Sequence, residues 1–579
     1  MNNIKWWAKA VFYQVYPRSF SDGNGDGIGD LIGITRRLDY LEELGIDAIW
    51  LSPHFASPQV DIGYDISDYL SIAPEYGNTD DFIRFLDSAH DRGIYVILDL
   101  VLNHTSDQHP WFIESRSSLK NSKRDWYIWQ DGRNGHAPNN WYSTFGGSAW
   151  ELDPQTDQYY YHYFFKEQPD LNWHNPEVKQ AMWDVVRFWL DLGVDGYRLD
   201  AIATIFEDPS DANHNSQLSQ SELFHTINQN ETSESYYRIK QLKQMMFGHQ
   251  VEQPGIHPLM QELRSIIDEY DDKVLVGEND DIAYHGNGNN ELHMVFNFPL
   301  MRTNKLTPGW VRANQEERLT ALANISDDAW PCNTFNNHDS SRVYSLFSNG
   351  ENDREYARIS IALLLTLRGT PFLYYGEEIG MEDLNIQKID QFKDPWGKWN
   401  FFMEKDEYGV TIPQAISLAN RAGRDKCRTP MQWSNAPNAG FSPKNVETWL
   451  PINQNYKNGI NVADQMEDPD SLLSFYRNLI HLRKITPALI YGDYIELNED
   501  STNTLSFLRK LETQTCLVVI NMSSDPITER YDLSADQVEC LFTSHPPRPD
   551  VESPANLRLS AFEIYIAEIH SDRDQKSPL

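Results

Sequence analysis

Cysteine is scarce in this chain: four residues in 579, at Cys332, Cys427, Cys516 and Cys540, with no CxxC pair. That scarcity excludes a disulfide framework or a thiolate zinc site as an organising device and points to a reducing compartment. Long apolar runs are missing too. Ile359–Leu367 is among the longest, well short of the roughly 18–20 residues that cross a bilayer. The opening stretch MNNIKWWAKAVFYQVY has neither the apolar centre nor the small-residue cleavage site of a secretory leader, so a cytoplasmic protein with no membrane partner is expected. Cations are short as well, with 49 Lys and Arg against 85 Asp and Glu and a net charge of −36. A broad basic face for nucleic acid is thereby excluded, and a neutral or cationic small molecule fits better. No short-period repeat is visible, and no Gly-rich turn of the dinucleotide-binding kind joins a strand to a helix.

What is present is enough apolar residue, 40% with 12% aromatic, to bury a large core. Short β-rich runs recur at Val11–Tyr16, Ile46–Leu51, Ile94–Leu100, Gly196–Leu199, Lys273–Gly277, His293–Phe298, Cys332–Phe335 and Pro371–Tyr375. Between them lie amphipathic stretches such as Gly33–Leu44, Thr79–Arg92, Pro176–Leu192, Leu259–Tyr270, Arg312–Ala323 and Arg354–Leu367. Eight strands alternating with helices predict an α/β fold, a (β/α)8 TIM barrel, with a doubly wound open sheet as the alternative. Residues 1–103 and 175–490 would form the barrel. Residues 104–174, rich in Trp, Tyr, Asn and Gly, read as a subdomain inserted after the third strand. Further insertions follow the fourth strand (Asp208–Glu234, polar and read as a loop) and the eighth (Gly380–Tyr456). In a barrel such insertions leave the catalytic face. From 491 to 579 the pattern turns to β runs without helices, a C-terminal antiparallel β-sandwich.

Polar residues collect at the carboxyl ends of the predicted strands. The third ends DLVLNH (Asp99, Asn103, His104), the fourth GYRLDA (Arg198, Asp200), the fifth VGEND (Glu278) and the seventh FNNHD (His338, Asp339). One carboxylate at a strand end is commonly a turn or cap residue, but four such ends together mark a site. Arg198 and Asp200, two apart on one strand, point to the same face. A guanidinium there is expected to keep Asp200 ionised, while Glu278, crowded by anions, holds its proton longer.

These segments, DLVLNHTS, GYRLDA, LVGE and FNNHD, together with VYPRSFSDGNGDGIGDL at 15–31, DIGYDISDY at 61–69 and GRDKCRTPMQW at 423–433, resemble the α-amylase superfamily of glycoside hydrolases, family 13. Within it they are similar to the oligo-1,6-glucosidase/α-glucosidase branch. The resemblance implies Asp200 as nucleophile, Glu278 as general acid/base and Asp339 as a third carboxylate gripping the sugar. It implies His104 and His338 as hydrogen-bonding partners of the sugar, and Asp61 and Tyr64 as the terminal-hydroxyl and ring-stacking groups. Arg424, with Arg428 as its neighbouring alternative, would pair with Asp61 and close the pocket; Asp99 would brace the site. Chemically the set suits glycosidic cleavage, which needs two carboxyl groups in different protonation states.

The loop DGNGDGIGD offers oxygens from Asp22, Asn24, Asp26 and Asp30 and the carbonyl of Ile28. Its alternation is that of the first half of an EF-hand loop, with Gly33 where the bidentate Glu would stand. The resemblance implies a structural Ca²⁺, or Mg²⁺, and no cofactor for catalysis. The expected activity is that of a retaining exo-acting α-glucosidase on short oligosaccharides, able to transfer glucose as well as hydrolyse. An α-1,6-preferring oligosaccharide glucosidase and a trehalose- or isomaltulose-synthase-like isomerase are the alternatives, and a monomer or homodimer is expected. A catalytically dead binding barrel is opposed by the retention of Asp200, Glu278 and Asp339. Ala201, next to the nucleophile, is the linkage residue. In the resembling branch, enzymes preferring α-1,6 bonds tend to carry Val there and those preferring α-1,4 bonds Ala or Thr, so α-1,4 is expected.

Overall fold

The computed structural model describes residues 5–229, 233–303, 306–533 and 537–570. Its centre is a ring of eight parallel strands: β1 (Phe12–Val15), β2 (Ala48–Leu51), β3 (Tyr95–Val101), β4 (Gly196–Asp200), β5 (Val274–Gly277), β6 (Met294–Val295), β7 (Cys332–Thr334) and β8 (Thr370–Tyr374). They pair in the order β6-β5-β4-β3-β2-β1-β8-β7. A parallel bridge from Phe296 to Cys332 joins the two ends, so the sheet closes. Closure removes both sheet edges and decides against the open doubly wound alternative.

The strands read as near-continuous apolar runs because both faces are covered. Alternation sorts their side chains. Phe12, Trp50, Ile97, Val274, Val276, Met294 and Phe372 share one buried cluster inside the ring, while Tyr13, Val15, Ile49, Val96, Leu98, Leu275 and Leu373 join the larger core towards the helices. Trp6 and Trp7 close the amino-terminal end, Trp6 stacked at 3.9 Å on Tyr95. The inward parity then runs on to Gln14, Asp99, Arg198, Asp200 and Glu278. Polar side chains therefore emerge at the carboxyl end of the ring, where apolar layers give way.

Helices start where the sequence supplies caps. Asn78 and Asp81 form a reciprocal capping box at Thr79–His90, and Asn175 with Pro176 starts Pro176–Asp191. The expected helix over Gly33–Leu44 is two helices, Leu31–Thr35 and Leu38–Leu44. Arg37 leaves helical geometry at the break (φ −105°, ψ 4°) and lies 4.0 Å over the Trp433 ring.

Residues 104–174 hold a three-stranded antiparallel sheet of Trp129–Asp131, Gln158–Tyr161 and Trp150–Asp153. The segment after β4 corrects the sequence reading. Inside Asp208–Glu234, read as a polar loop, stands the helix Gln220–Gln229, and a second helix, Ser233–Phe247, follows. Leu223, Met246 and Phe247 complete the aromatic cluster of Trp141, Trp150, Tyr161 and Tyr163. A narrow apolar face on a mostly solvated helix leaves little trace in composition.

Beyond the helix Pro487–Tyr491, a six-stranded sheet begins at Asp493, and the strand pair Ile527–Glu529 and Leu557–Leu559 packs on it through Leu517, Val519, Tyr531 and Val538. Buried arginines tie it to the barrel. Arg312 donates to the carbonyls of Asn498, Ser501 and Thr504, and Arg509 to those of Thr366, Ile490 and Gly492. No helix among the described residues is long and apolar enough to cross a membrane.

Candidate active site

At the carboxyl end of the ring a pocket of about 90 Å³ is lined by Asp61, Tyr64, His104, Phe145, Phe164, Asp200, Ala201, Glu278, Asp339 and Arg424. Eight of these were singled out from sequence. Arg198, fully buried, lies beneath. Its Nη1 donates to Asp99 at 2.6 Å and Asp200 at 2.7 Å, and its Nη2 stands 2.9 Å from Glu278 Oε1. The other Glu278 oxygen accepts the backbone N–H of Ala201 at 2.9 Å. Ala201 follows the strand in the left-handed region (φ 43°, ψ 42°), unusual for a residue with a Cβ. This turn aims its N–H at Glu278 and lets the chain leave the ring directly after Asp200.

Asp99 also accepts from Trp50 Nε1 and the Tyr64 hydroxyl, both at 3.1 Å, and is sealed from solvent. It braces Arg198 rather than facing the pocket. Arg198 favours the ionised form of Asp200, but burial outweighs it. Burial raises Asp200 well above the usual carboxylate range; Arg198 opposes this, while Glu278 and Asp99 add to the rise. Burial likewise lifts Asp99 to about 6. The single Arg198 guanidinium therefore offsets the burial of Asp99 and Asp200 only in part.

Asp339 is the opposite case. Burial would raise it, yet His338 and then the arginines Arg428 and Arg424 overcome that and hold it below the ordinary carboxylate range. Arg428 donates to it at 2.5 Å, and Arg424 lies at 3.9 Å. The two arginines thereby divide their work. Arg424 reaches Asp61 at 2.6 Å and Asp394 at 2.8 Å, whereas Arg428 serves Asp339 and the His338 carbonyl.

Burial keeps both histidines neutral, lowering His104 to about 4 and His338 well below its normal value. Neutral rings can each donate and accept. His104 Nε2 lies 2.9 Å from Gln168 Nε2 and 3.1 Å from the Tyr64 carbonyl. His338 stacks on Tyr64 with centroids 5.4 Å apart and bonds Gln14 at 2.8 Å through Nδ1. The sequence reading missed Phe145, Phe164, Gln168, Asp394, Trp50 and Gln14. The aromatic richness of residues 104–174 was the available signal for the two phenylalanines. Counting Asp61, Asp99, Asp200, Glu278, Asp339 and Asp394 against Arg198, Arg424 and Arg428, acids outnumber arginines about the pocket. Such a field favours a transition state that gains positive charge.

The glycine-rich loop lies outside this pocket. Asp22 accepts the N–H groups of Gly25 and Gly27, and Asp30 those of Gly23, Asn24 and Gly33. Asn24 and Asp26 accept from Asp26 and Ile28. The side chains thus fold the loop on its own backbone. Among the described residues no three His, Cys, Asp or Glu side chains gather as a ready-made cation site. The donors are nonetheless all hard oxygens with lone pairs remaining, chemistry that fits Ca²⁺ or Mg²⁺.

The pocket at the carboxyl end of this closed ring is lined by four carboxyl groups, Asp61, Asp200, Glu278 and Asp339, a set suited to glycoside hydrolysis. The family description "Alpha amylase, catalytic domain" matches residues 14–492, and the chain belongs to that family. It is 39% identical to the oligo-1,6-glucosidase of Parageobacillus thermoglucosidasius, across 97% of this chain and 99% of the relative. It is 40% identical to the α-glucosidase of Pediococcus pentosaceus, across 85% and 87%. Among solved structures, the trehalulose synthase MutB from Pseudomonas mesoacidophila MX-45 matches with a TM-score of 0.87 and 37% identity, covering 98% of this chain and all of the other.

Proposed function

We propose that this chain is a retaining exo-α-glucosidase that removes one terminal glucose from short α-glucosides, preferring α-1,4 bonds, and transfers glucose when a sugar replaces water. The observation that carries this reading is the Arg424–Asp61 ion pair at 2.6 Å, itself anchored on Asp394. It walls the pocket beside Asp200, Glu278 and Asp339, which suits a site for a terminal sugar. In this reading Asp200 attacks the anomeric carbon and the leaving oxygen takes its proton from Glu278. Both are held by the two adjacent terminal nitrogens of the Arg198 guanidinium, which favours the short carboxyl separation, roughly 5–5.5 Å, of a double displacement. Asp339, kept ionised by Arg428, grips sugar hydroxyls; His104 and His338 hydrogen-bond the same ring, and Tyr64 stacks on it. Water then hydrolyses the glucosyl ester with Glu278 as base.

The α-1,4 preference rests on the small side chain of Ala201 beside the leaving sugar. The loop residues Asp22, Asn24, Asp26 and Asp30 with the Ile28 carbonyl would hold a structural Ca²⁺ or Mg²⁺, which supplies cross-linking charge and takes no part in the bond cleavage. A cytoplasmic setting is supported by four free cysteines, three of them buried. The synthase neighbour favours a second reading, isomerisation of sucrose in the same pocket. Incubation with maltohexaose, isomaltose, trehalose and sucrose separates the two. Release of single glucose units from maltohexaose, with maltopentaose as the first shortened product, supports the exo-glucosidase. Internal cleavage would overturn it, and conversion of sucrose mainly to another disaccharide would establish the isomerase.

A further inference from the structure

The helix Gln220–Gln229, inserted after β4, touches two walls of the pocket from outside. Its start is fixed by Ser219 and Glu222, whose side chains accept each other's backbone N–H at 3.2 and 2.7 Å, the reciprocal capping arrangement. Gln220, the first helical residue, is 4% exposed. Its amide oxygen accepts the N–H of Gly147 at 2.7 Å and its amide nitrogen donates to the carbonyl of Ser143. These two groups are the ends of one turn, 143–147, whose backbone closes on itself from Ser143 N to the Gly147 carbonyl at 3.0 Å. At the apex stands Phe145, which lines the pocket. Its ring stacks on Phe165 at 4.4 Å, meets Phe164 at 5.6 Å and Trp396 at 5.7 Å, and lies 5.1 Å from the Arg424 guanidinium. Gly146 and Gly147 take left-handed angles (φ 103° and 86°), and a Cβ on Gly146 would strike the Trp399 indole at 2.4 Å. Within the turn Ser143 Oγ accepts the Phe145 N–H at 3.1 Å and the Ser143 carbonyl accepts the Gly146 N–H at 3.2 Å, while Gln220 supplies the side-chain bond to Gly147.

The far side of the helix is anchored on the helix Pro395–Asp406. Phe224 packs on Trp396 at 4.8 Å, Asn228 donates to Glu404 at 2.8 Å, and His225 bonds the same carboxylate at 2.8 Å. That helix begins directly after Asp394, the anchor of Arg424. The inserted helix therefore spans from the turn carrying Phe145 to the segment holding Arg424. Both parts meet at the glycone wall.

We propose that Gln220 is a positioning residue for substrate specificity, setting Phe145 against Arg424 through the two ends of the 143–147 turn. The proposal rests on the glucosidase reading of the pocket. Gln220→Met keeps the length and packing of the side chain and removes both hydrogen bonds. For maltose it should raise KM at least about tenfold and leave kcat within about twofold, because Phe145 meets the bound sugar and not the reacting bond. Phe145→Leu should show the same split. In the Phe145→Leu background, adding Gln220→Met should cost under about twofold, since residues that act through one another are not additive. Gln220→Asn, which keeps the amide on a shorter stem, should recover part of the loss; its melting temperature and that of Gln220→Met serve as fold controls. An unchanged KM in a folded Gln220→Met enzyme, or equal costs in both backgrounds, would overturn the positioning role while hydrolysis stands. Failure of the wild type to release glucose from any α-glucoside would overturn the glucosidase reading as well.

Discussion

Arg198 shares one positive charge among Asp99, Asp200 and Glu278, and burial still leaves Asp99 and Asp200 above the usual carboxylate range. Asp200→Asn should lower kcat by at least about 10³, roughly 4 kcal/mol, with the fold intact; near-normal turnover by a folded variant would remove Asp200 from the nucleophile role. The first glucose released should be the α anomer, and a β product would contradict double displacement. Away from the pocket, Glu377 is buried on the Tyr476 hydroxyl and lifted by that burial to about 8. Between pH 4.5 and 8 the unfolded chain has released this proton and the folded chain retains it, so its contribution falls as pH rises. Glu377→Gln should therefore gain stability over wild type from pH 5 to pH 8, by about 3–5 kcal/mol at most. A difference in melting temperature that stays constant over that range would contradict the shift.

At the scale of elements, two turns carry consequences. Ala201 lies at φ 43°, where a β-branched residue is costlier than Ala. Ala201→Val should shift kcat/KM towards isomaltose relative to maltose by roughly 10–200-fold, and should also lower the melting temperature. Ala201→Gly, which relieves the backbone and adds no volume, should stabilise without that shift. Wild-type preference for isomaltose would show that Ala201 does not set the linkage. The Asp22–Asp30 loop gives a separate test. Chelator should depress the melting temperature more than kcat at moderate temperature, because a cation bound only by the folded chain stabilises it by mass action. Unchanged melting would mean that the side-chain-to-backbone hydrogen bonds alone hold the loop.

Across the whole molecule, the C-terminal sheet is coupled to the barrel by buried guanidiniums that donate to carbonyls. Arg312 makes three such bonds and pairs with Glu496 at 2.7 Å. Arg312→Ala should destabilise by about 2–4 kcal/mol and leave kcat unchanged below the transition, the site being built elsewhere. Equal melting temperatures for variant and wild type would show that Arg312 adds nothing to the coupling of the two parts.

The order of strands and helices was fixed locally, because alternating apolar runs and caps act within a few residues. The residues Asp200, Glu278 and Asp339 were legible because each ends a β-rich run in a distinctive motif. Only the closed ring could decide that Arg198 serves three carboxylates at once, or that Arg424 takes Asp61 while Arg428 takes Asp339. Apart from Arg198 and Asp200, neighbours on one strand, these pairings join residues tens to hundreds apart along the chain, and local pattern carries no information about such distances. The same holds for the helix at Gln220. Its apolar face is too narrow to announce a helix, and it exists because Leu223 and Phe224 find partners in two other insertions. Alternation along a strand says which residues share a face; the burial and charge that set their protonation arise only when the barrel brings those faces together.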